Sequence, residues 1–179
     1  MIVRLDKKTG FRSKSPIVTV WTDAGEPFYI IERKGTDILF NLPKGNYLIE
    51  CDFEKLKSPV NYKLPKLPKY ERNITFPNFI EIVFCTNPNK CSIDLERGLV
   101  MCDFSIKNKT RAEQTFVMFH ELGHYYYKTE SHCDLFASYH MLKQGFNPSQ
   151  LYFSVNGCLS DNSIDRKNHV LNFAKKVKK

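Results

Sequence analysis

The sequence predicts an α+β fold, and three observations predict it. Between Ile17 and about Cys51 short β-rich runs alternate with turn residues; a strand and a hairpin follow near the middle; from Thr110 onward apolar positions recur at helical spacing between recognisable caps. Hydrophobic residues fill 42% of the 179 positions and aromatics 13%, which suits a packed core and excludes a mainly disordered chain. Three regions follow: a small β-rich N-terminal part over 1–54, a basic, proline-containing linker over 55–75, and a larger domain over 76–179 with a short sheet and a long helix.

PIVTVW, PFYIIER, TDILFNL and NYLIECD are separated by DAGE, RKG and LPKGN, a spacing that suggests a small antiparallel sheet or sandwich. KLKSPVNYKLPKLPKYERN carries three prolines and many lysines without a lasting period, and reads as an extended linker or edge wrap. FIEIVFC has the apolar run of a buried strand, and CSIDLERGLVMCDF reads as a hairpin turning at Glu96, Arg97 and Gly98. Thr110 caps the next helix, with Glu113 three residues on completing a capping box. Thr115, Met118, Phe119, Leu122 and Tyr126 then form a core-facing stripe, leaving His120 and His124 pointing elsewhere. A second helix runs from about Ser131 to Gln144 and stops at Gly145; Asn147 and Pro148 open a short third one. A last amphipathic helix starts at Ser163 and buries Ile164, Leu171, Ala174 and, near its end, Val177.

Composition excludes several function classes. No run approaches the roughly 18 apolar residues of a membrane span, and MIVRLDKKTGFRSKSP lacks the apolar stretch of a signal peptide, so a cytoplasmic protein is expected. The six cysteines form no CxxC pair, which argues against a zinc ribbon or a redox dithiol and fits reduced thiols. Net charge is +8, with the excess concentrated between Lys55 and Arg72 and in the final AKKVKK. Such runs are usually solvated faces, and contact with nucleic acid is left open, although no helix-turn-helix is evident. There is no phosphate-binding glycine loop and no GxSxG.

Four of the five histidines fall between positions 120 and 140, and two of them belong to His120-Glu121-Leu122-Gly123-His124, an HExxH pattern on a predicted helix. Residues four apart on a helix are turned about 40° from each other and rise about 6 Å, so two imidazoles can grip one metal ion from consecutive turns. Glu121 lies beside that face, where a carboxylate can take a proton from a water at the ion's open position. Chance alone would produce the pattern in about one of a hundred such chains.

A catalytic zinc needs a third protein ligand. Glu130 is the first choice, because Glu130, Asp134, Ala137 and Met141 share one face of the second helix and small Ala137 lets that helix approach the first. Asp134, one turn on, can accept the ring N–H of a ligand histidine. Asp134 and His132 are the alternatives as third ligand. Tyr126 and His140, with Tyr125 and Tyr139, are candidates to stabilise an oxyanion.

Glu130-Ser-His-Cys-Asp134-Leu-Phe-Ala137 after HELGH resembles the gluzincin class of zinc metallopeptidases, in which a glutamate and an aspartate four residues later follow HExxH on the next helix. In particular it is similar to the small ImmA/IrrE-type peptidases of phages and mobile elements, whose second helix reads ExxA[ND]xFA. Cys133 stands where that pattern has alanine, and only YYYKT separates His124 from Glu130, a shorter connection than gluzincins usually have. The resemblance covers roughly Cys91 to Gln150. It implies a zincin-like metallopeptidase domain with one Zn2+ per chain held by His120, His124 and Glu130, Glu121 as general base, and a protein or peptide substrate, such as a DNA-bound repressor.

A reading from another class remains beside it: a virion or other assembly component that keeps a peptidase-like fold and docks through its N-terminal part. The segment from Lys55 to Arg72 is also a candidate inhibitory strap across the cleft, because it is basic, proline-rich and just precedes the catalytic part.

Overall fold

The computed structural model describes residues 1–25, 27–32, 37–61, 63–160 and 162–177. The chain is mixed α+β, with ten strands and four α-helices among these residues. Its first half is built by side-chain alternation. In β3 (Ile17–Thr22) Val18, Val20 and Thr22 point inward, and in β6 (Gly45–Glu50) Tyr47 and Ile49 do the same, because successive residues of a strand face opposite ways. With β1 (Ile2–Leu5) and β4 (Pro27–Glu32) they form an antiparallel sheet in the order β1-β6-β3-β4. A second antiparallel sheet runs β5 (Ile38–Leu42), β2 (Thr9–Ser13), β7 (Glu54–Lys55). Strands β1 and β2 arise from an N-terminal stretch too short and too polar to announce them. The RKG turn signal at positions 33–35 and the end of the lysine tail at 178–179 lie outside the described residues.

Both sheets face one core that the helices also enter. Leu5, Val18, Phe28, Phe40 and Ile49 share it with Phe116, Met141, Phe146, Leu151 and Val170. The segment after β7 wraps that core: Leu64 and Leu67 pack against it, and the Asn41 side chain bonds both the N–H and the carbonyl of Val60 at 2.8 Å.

A third sheet carries β8 (Glu81–Cys85), β10 (Leu99–Asp103) and β9 (Cys91–Asp94) in that order, with β8 parallel and β9 antiparallel to the central β10. The hairpin between β9 and β10 turns where expected: Asp94 Oδ1 accepts the N–H groups of Glu96 and Arg97, and Gly98 supplies a φ of +68°. Strand β8 corrects the expectation of a buried strand. As an edge strand it leaves Ile82 and Val83 exposed, while Phe84 within it and Ile80 just before it pack against the small core behind the sheet.

Helix α1 (Arg111–Gly123) begins with the capping box of Thr110 and Glu113. Helix α2 (Glu130–Gln144) ends at Gly145 with φ +115°, and α3 (Pro148–Cys158) opens with Asn147 and Gln150 bonding each other's backbone N–H. Helix α4 is Ile164–Lys175. Two expected faces are corrected. On α1 the buried residues are Ala112, Phe116, Val117, His120, Glu121 and Gly123, while Thr115, Met118, Phe119 and Leu122 are half-buried. The reason is that α1 packs against α2, α3 and β9, so it is covered on more than one side and no single apolar stripe describes it. On α4 Val170 and Phe173 are buried and Ile164 is exposed. Among the described residues no helix is long and apolar enough to cross a membrane.

Candidate metal centre

The centre begins with a glycine. A Cβ at Gly123 would stand 3.0 Å from the Cα of Cys133, so the absence of a side chain lets α1 and α2 cross in close contact. This approach brings the start of α2 onto the last turn of α1, and Ala137, one of the residues expected on this face of α2, is fully buried in the core that α1 also enters. The short connection works because it is packed and bonded: Tyr125 and Tyr127 are fully buried, the N–H groups of Tyr126 and Tyr127 donate to the Gly123 carbonyl, and Thr129 caps α2. Five residues therefore suffice to turn the chain.

The turn sets Glu130 against both histidines. Its Oε2 is 3.1 Å from His120 Nε2 and its Oε1 is 3.6 Å from His124 Nε2. The three ligand atoms lie within 4.8 Å of one another, and the group could hold a metal ion. The other ring nitrogens are engaged from behind. His120 Nδ1 lies 2.8 Å from Asp134 Oδ1, and His124 Nδ1 lies 3.4 Å from the Cys133 sulfur. Asp134 is fully buried and receives two bonds from Arg166, Nε to Oδ2 at 2.7 Å and Nη2 to Oδ1 at 2.8 Å. Arg166 Nη1 also stands 3.2 Å from Glu130. This donor set suits a metal that takes nitrogen and oxygen ligands: both Nε2 atoms face the carboxylate while the Nδ1 atoms hold the rings in place.

Electrostatics separate the groups. Burial alone would lower the His120 imidazole, but its bonds to Asp134 and Glu130 hold it up at about 9. The bond from His120 in turn takes Glu130 down to about 2. His124 is lowered, by burial first and then by the neighbouring charges of His120, Arg72 and Arg166. Burial raises Asp134, and the bonds from Arg166 and His120 more than offset it. Glu121 is pushed up to about 7, mainly by burial.

His120, Glu121, His124 and Glu130 all line one cavity of about 980 Å³, bounded on the far side by β9 and by the start of α4. The other expected residues lie elsewhere. His132 points out of the cluster and pairs with Glu71, while Asp134 sits behind His120. Tyr126 stacks between Tyr70 and Phe136, and His140 between Phe119 and Phe136; neither lines the cavity, because aromatic packing claims both rings. Nor does the basic segment cross it: of the described residues between Lys55 and Arg72, only Arg72 reaches the wall. Arg166, Arg72 and the thiol of Cys133 were not foreseen as parts of the centre. Position 133 did carry a signal, since cysteine stands there in place of alanine.

Comparisons with protein-family models, curated proteins and solved structures returned no match for this chain.

Proposed function

We propose that the chain is a zinc metallopeptidase of the HExxH, gluzincin type, with a zincin-like catalytic part, hydrolysing peptide bonds in a protein or peptide substrate. One observation carries this reading: two imidazoles turn their Nε2 atoms toward Glu130 while Asp134 and Cys133 hold their Nδ1 atoms, and a fourth group, Glu121, opens on the same cavity. A zinc ion held by His120, His124 and Glu130 would supply a Lewis acid that polarises a carbonyl and makes a water more acidic.

The chain's own residues supply the rest. Glu121 is 5% exposed and its carboxyl sits at about 7, so near neutral pH it can accept a proton from the attacking water and return it to the leaving amine. Asp134, itself fixed by two bonds from Arg166, orients His120. Its charge also strengthens that imidazole as a donor to a cation.

The test begins with metal content, measured by plasma mass spectrometry on protein purified without added metal. Near one zinc per chain is expected, sharply reduced in Glu130→Ala. Glu121→Gln should keep the zinc and lower peptide cleavage at least a hundredfold. A chain that takes up no zinc even on dialysis against it would overturn the reading.

A further inference from the structure

We propose that Arg72 forms a carboxylate-binding subsite of the cavity, so that the favoured substrate presents an acidic side chain or its own C-terminal carboxylate near the bond to be cut. The proposal rests on the metallopeptidase reading and names the substrate class for that same site.

Arg72 is positioned by its backbone. Its N–H and that of Glu71 both donate to the Tyr126 carbonyl, at 3.0 and 2.8 Å, and the Glu71 carboxylate accepts the Lys128 N–H at 2.8 Å. The Tyr70 ring packs against Tyr126 and Tyr127. The side chain is thereby delivered to the cavity wall beside His124 and Glu130 without contributing to its own anchorage.

Two of the other cations that line the cavity are committed. Arg166 is bound to Asp134 and Glu130, and Lys109 to Glu113 at 3.2 Å and to the Gly157 carbonyl at 2.7 Å. Arg72 makes no ion pair among the described residues, and its Nε is buried without a hydrogen-bond partner. A buried N–H without an acceptor is costly, and a carboxylate in the cavity toward which the guanidinium turns recovers that loss. A guanidinium fork matches a carboxylate with two parallel bonds. The surroundings favour an anion as well: Arg72, Lys90, Lys109 and Arg166 line the cavity against the carboxylates of Glu121 and Glu130 alone, before any divalent cation adds positive charge.

The experiment uses the zinc-loaded full chain and a peptide library with acetylated and amidated ends, in which Glu and Gln compete at every position. A parallel set has neutral side chains and a free C-terminal carboxylate. Cleavage read by mass spectrometry should favour one carboxylate source about tenfold, and Arg72→Gln should erase the preference while Arg72→Lys keeps part of it. Preference in the first set identifies an acidic side chain, and preference in the second the chain end. Cleavage without a preference, or with one that Arg72→Gln leaves intact, overturns the subsite and leaves the peptidase reading standing. If no peptide is cut, that reading fails. The subsite is then decided by NMR titration of the zinc-loaded chain with N-acetylglutamate amide against N-acetylglutamine amide: binding selective for the glutamate and lost in Arg72→Gln supports it, and equal or absent binding overturns it. Zinc content and circular dichroism establish that each variant is folded.

Discussion

The two histidines of the centre are four residues apart on one helix, yet they are held in different ways. His120 is backed by a buried carboxylate that is itself locked by an arginine, whereas His124 is backed by a thiol. Bonds to ionised groups are roughly twice as strong as neutral ones, and sulfur is a weak acceptor. The rigid half of the site is therefore the one tied through α2 to α4, and the adaptable half is the one at the end of α1 beside the basic wrap. Their charges differ as well: bonds to Asp134 and Glu130 hold a proton on the metal-free His120 above neutral pH, while burial and the neighbouring His120 lower His124.

The largest effect should come from Asp134→Ala. It strips His120 of its partner and leaves the Arg166 guanidinium without its main counter-ion, which for a broken buried pair costs about 3–5 kcal/mol. Urea denaturation should show that loss, and chelator competition a fall in zinc affinity of about 10–100-fold.

Protons distinguish the two histidines next. Zinc binding at pH 7.5 should release about one proton, from His120 and not from His124, because only His120 is protonated there. Calorimetry in buffers of different ionisation enthalpy counts it. The stability of the metal-free chain carries the same signature. A pKa raised from 6.5 to about 9 contributes stability that is complete below pH 6.5 and is lost as pH rises through 9. Glu121, raised from 4.5 to about 7, acts in the same direction over a lower window. Below pH 6.5 His124 and His140, both lowered by burial, act the other way, so the clean window lies above it: from about pH 6.5 to about pH 9 the metal-free chain should melt at progressively lower temperature, and zinc should flatten that slope; a melting temperature that rises across this window would contradict the assignment.

Cys133→Ala should have the smallest effect. Losing a 3.4 Å contact to sulfur should lower zinc affinity less than tenfold, and the small cavity left should cost about 1 kcal/mol in urea denaturation. A loss as large as that of Asp134→Ala would erase the contrast between the two histidines.

Much of this centre was legible because its parts are local. The HExxH spacing, the capping box at Thr110, the stop at Gly145 and the four-residue step from Glu130 to Asp134 are each written within one or two helical turns. What escaped depends on contacts between distant segments. Arg166 lies on a helix read only for its apolar face, and Arg72 in a stretch with no period, so neither announces its partner. His120 falls off the apolar stripe that the sequence suggests and is nonetheless buried, because a polar cavity sits inside the fold and amphipathic spacing does not report one. Strand β8 failed in the opposite sense: its apolar run matches a buried strand, but position at a sheet edge overrides composition.

One feature of the centre also orders its assembly in time. Asp134 and the arginine that neutralises it are 32 residues apart, with the whole of α3 between them. As the chain leaves the ribosome, the HExxH helix and Glu130 emerge first, and the buried aspartate must wait for α4 before its counter-ion arrives. A nascent chain accordingly carries the motif well before it carries the finished centre, and a metal ion would meet the complete set of supporting bonds only once α4 has emerged.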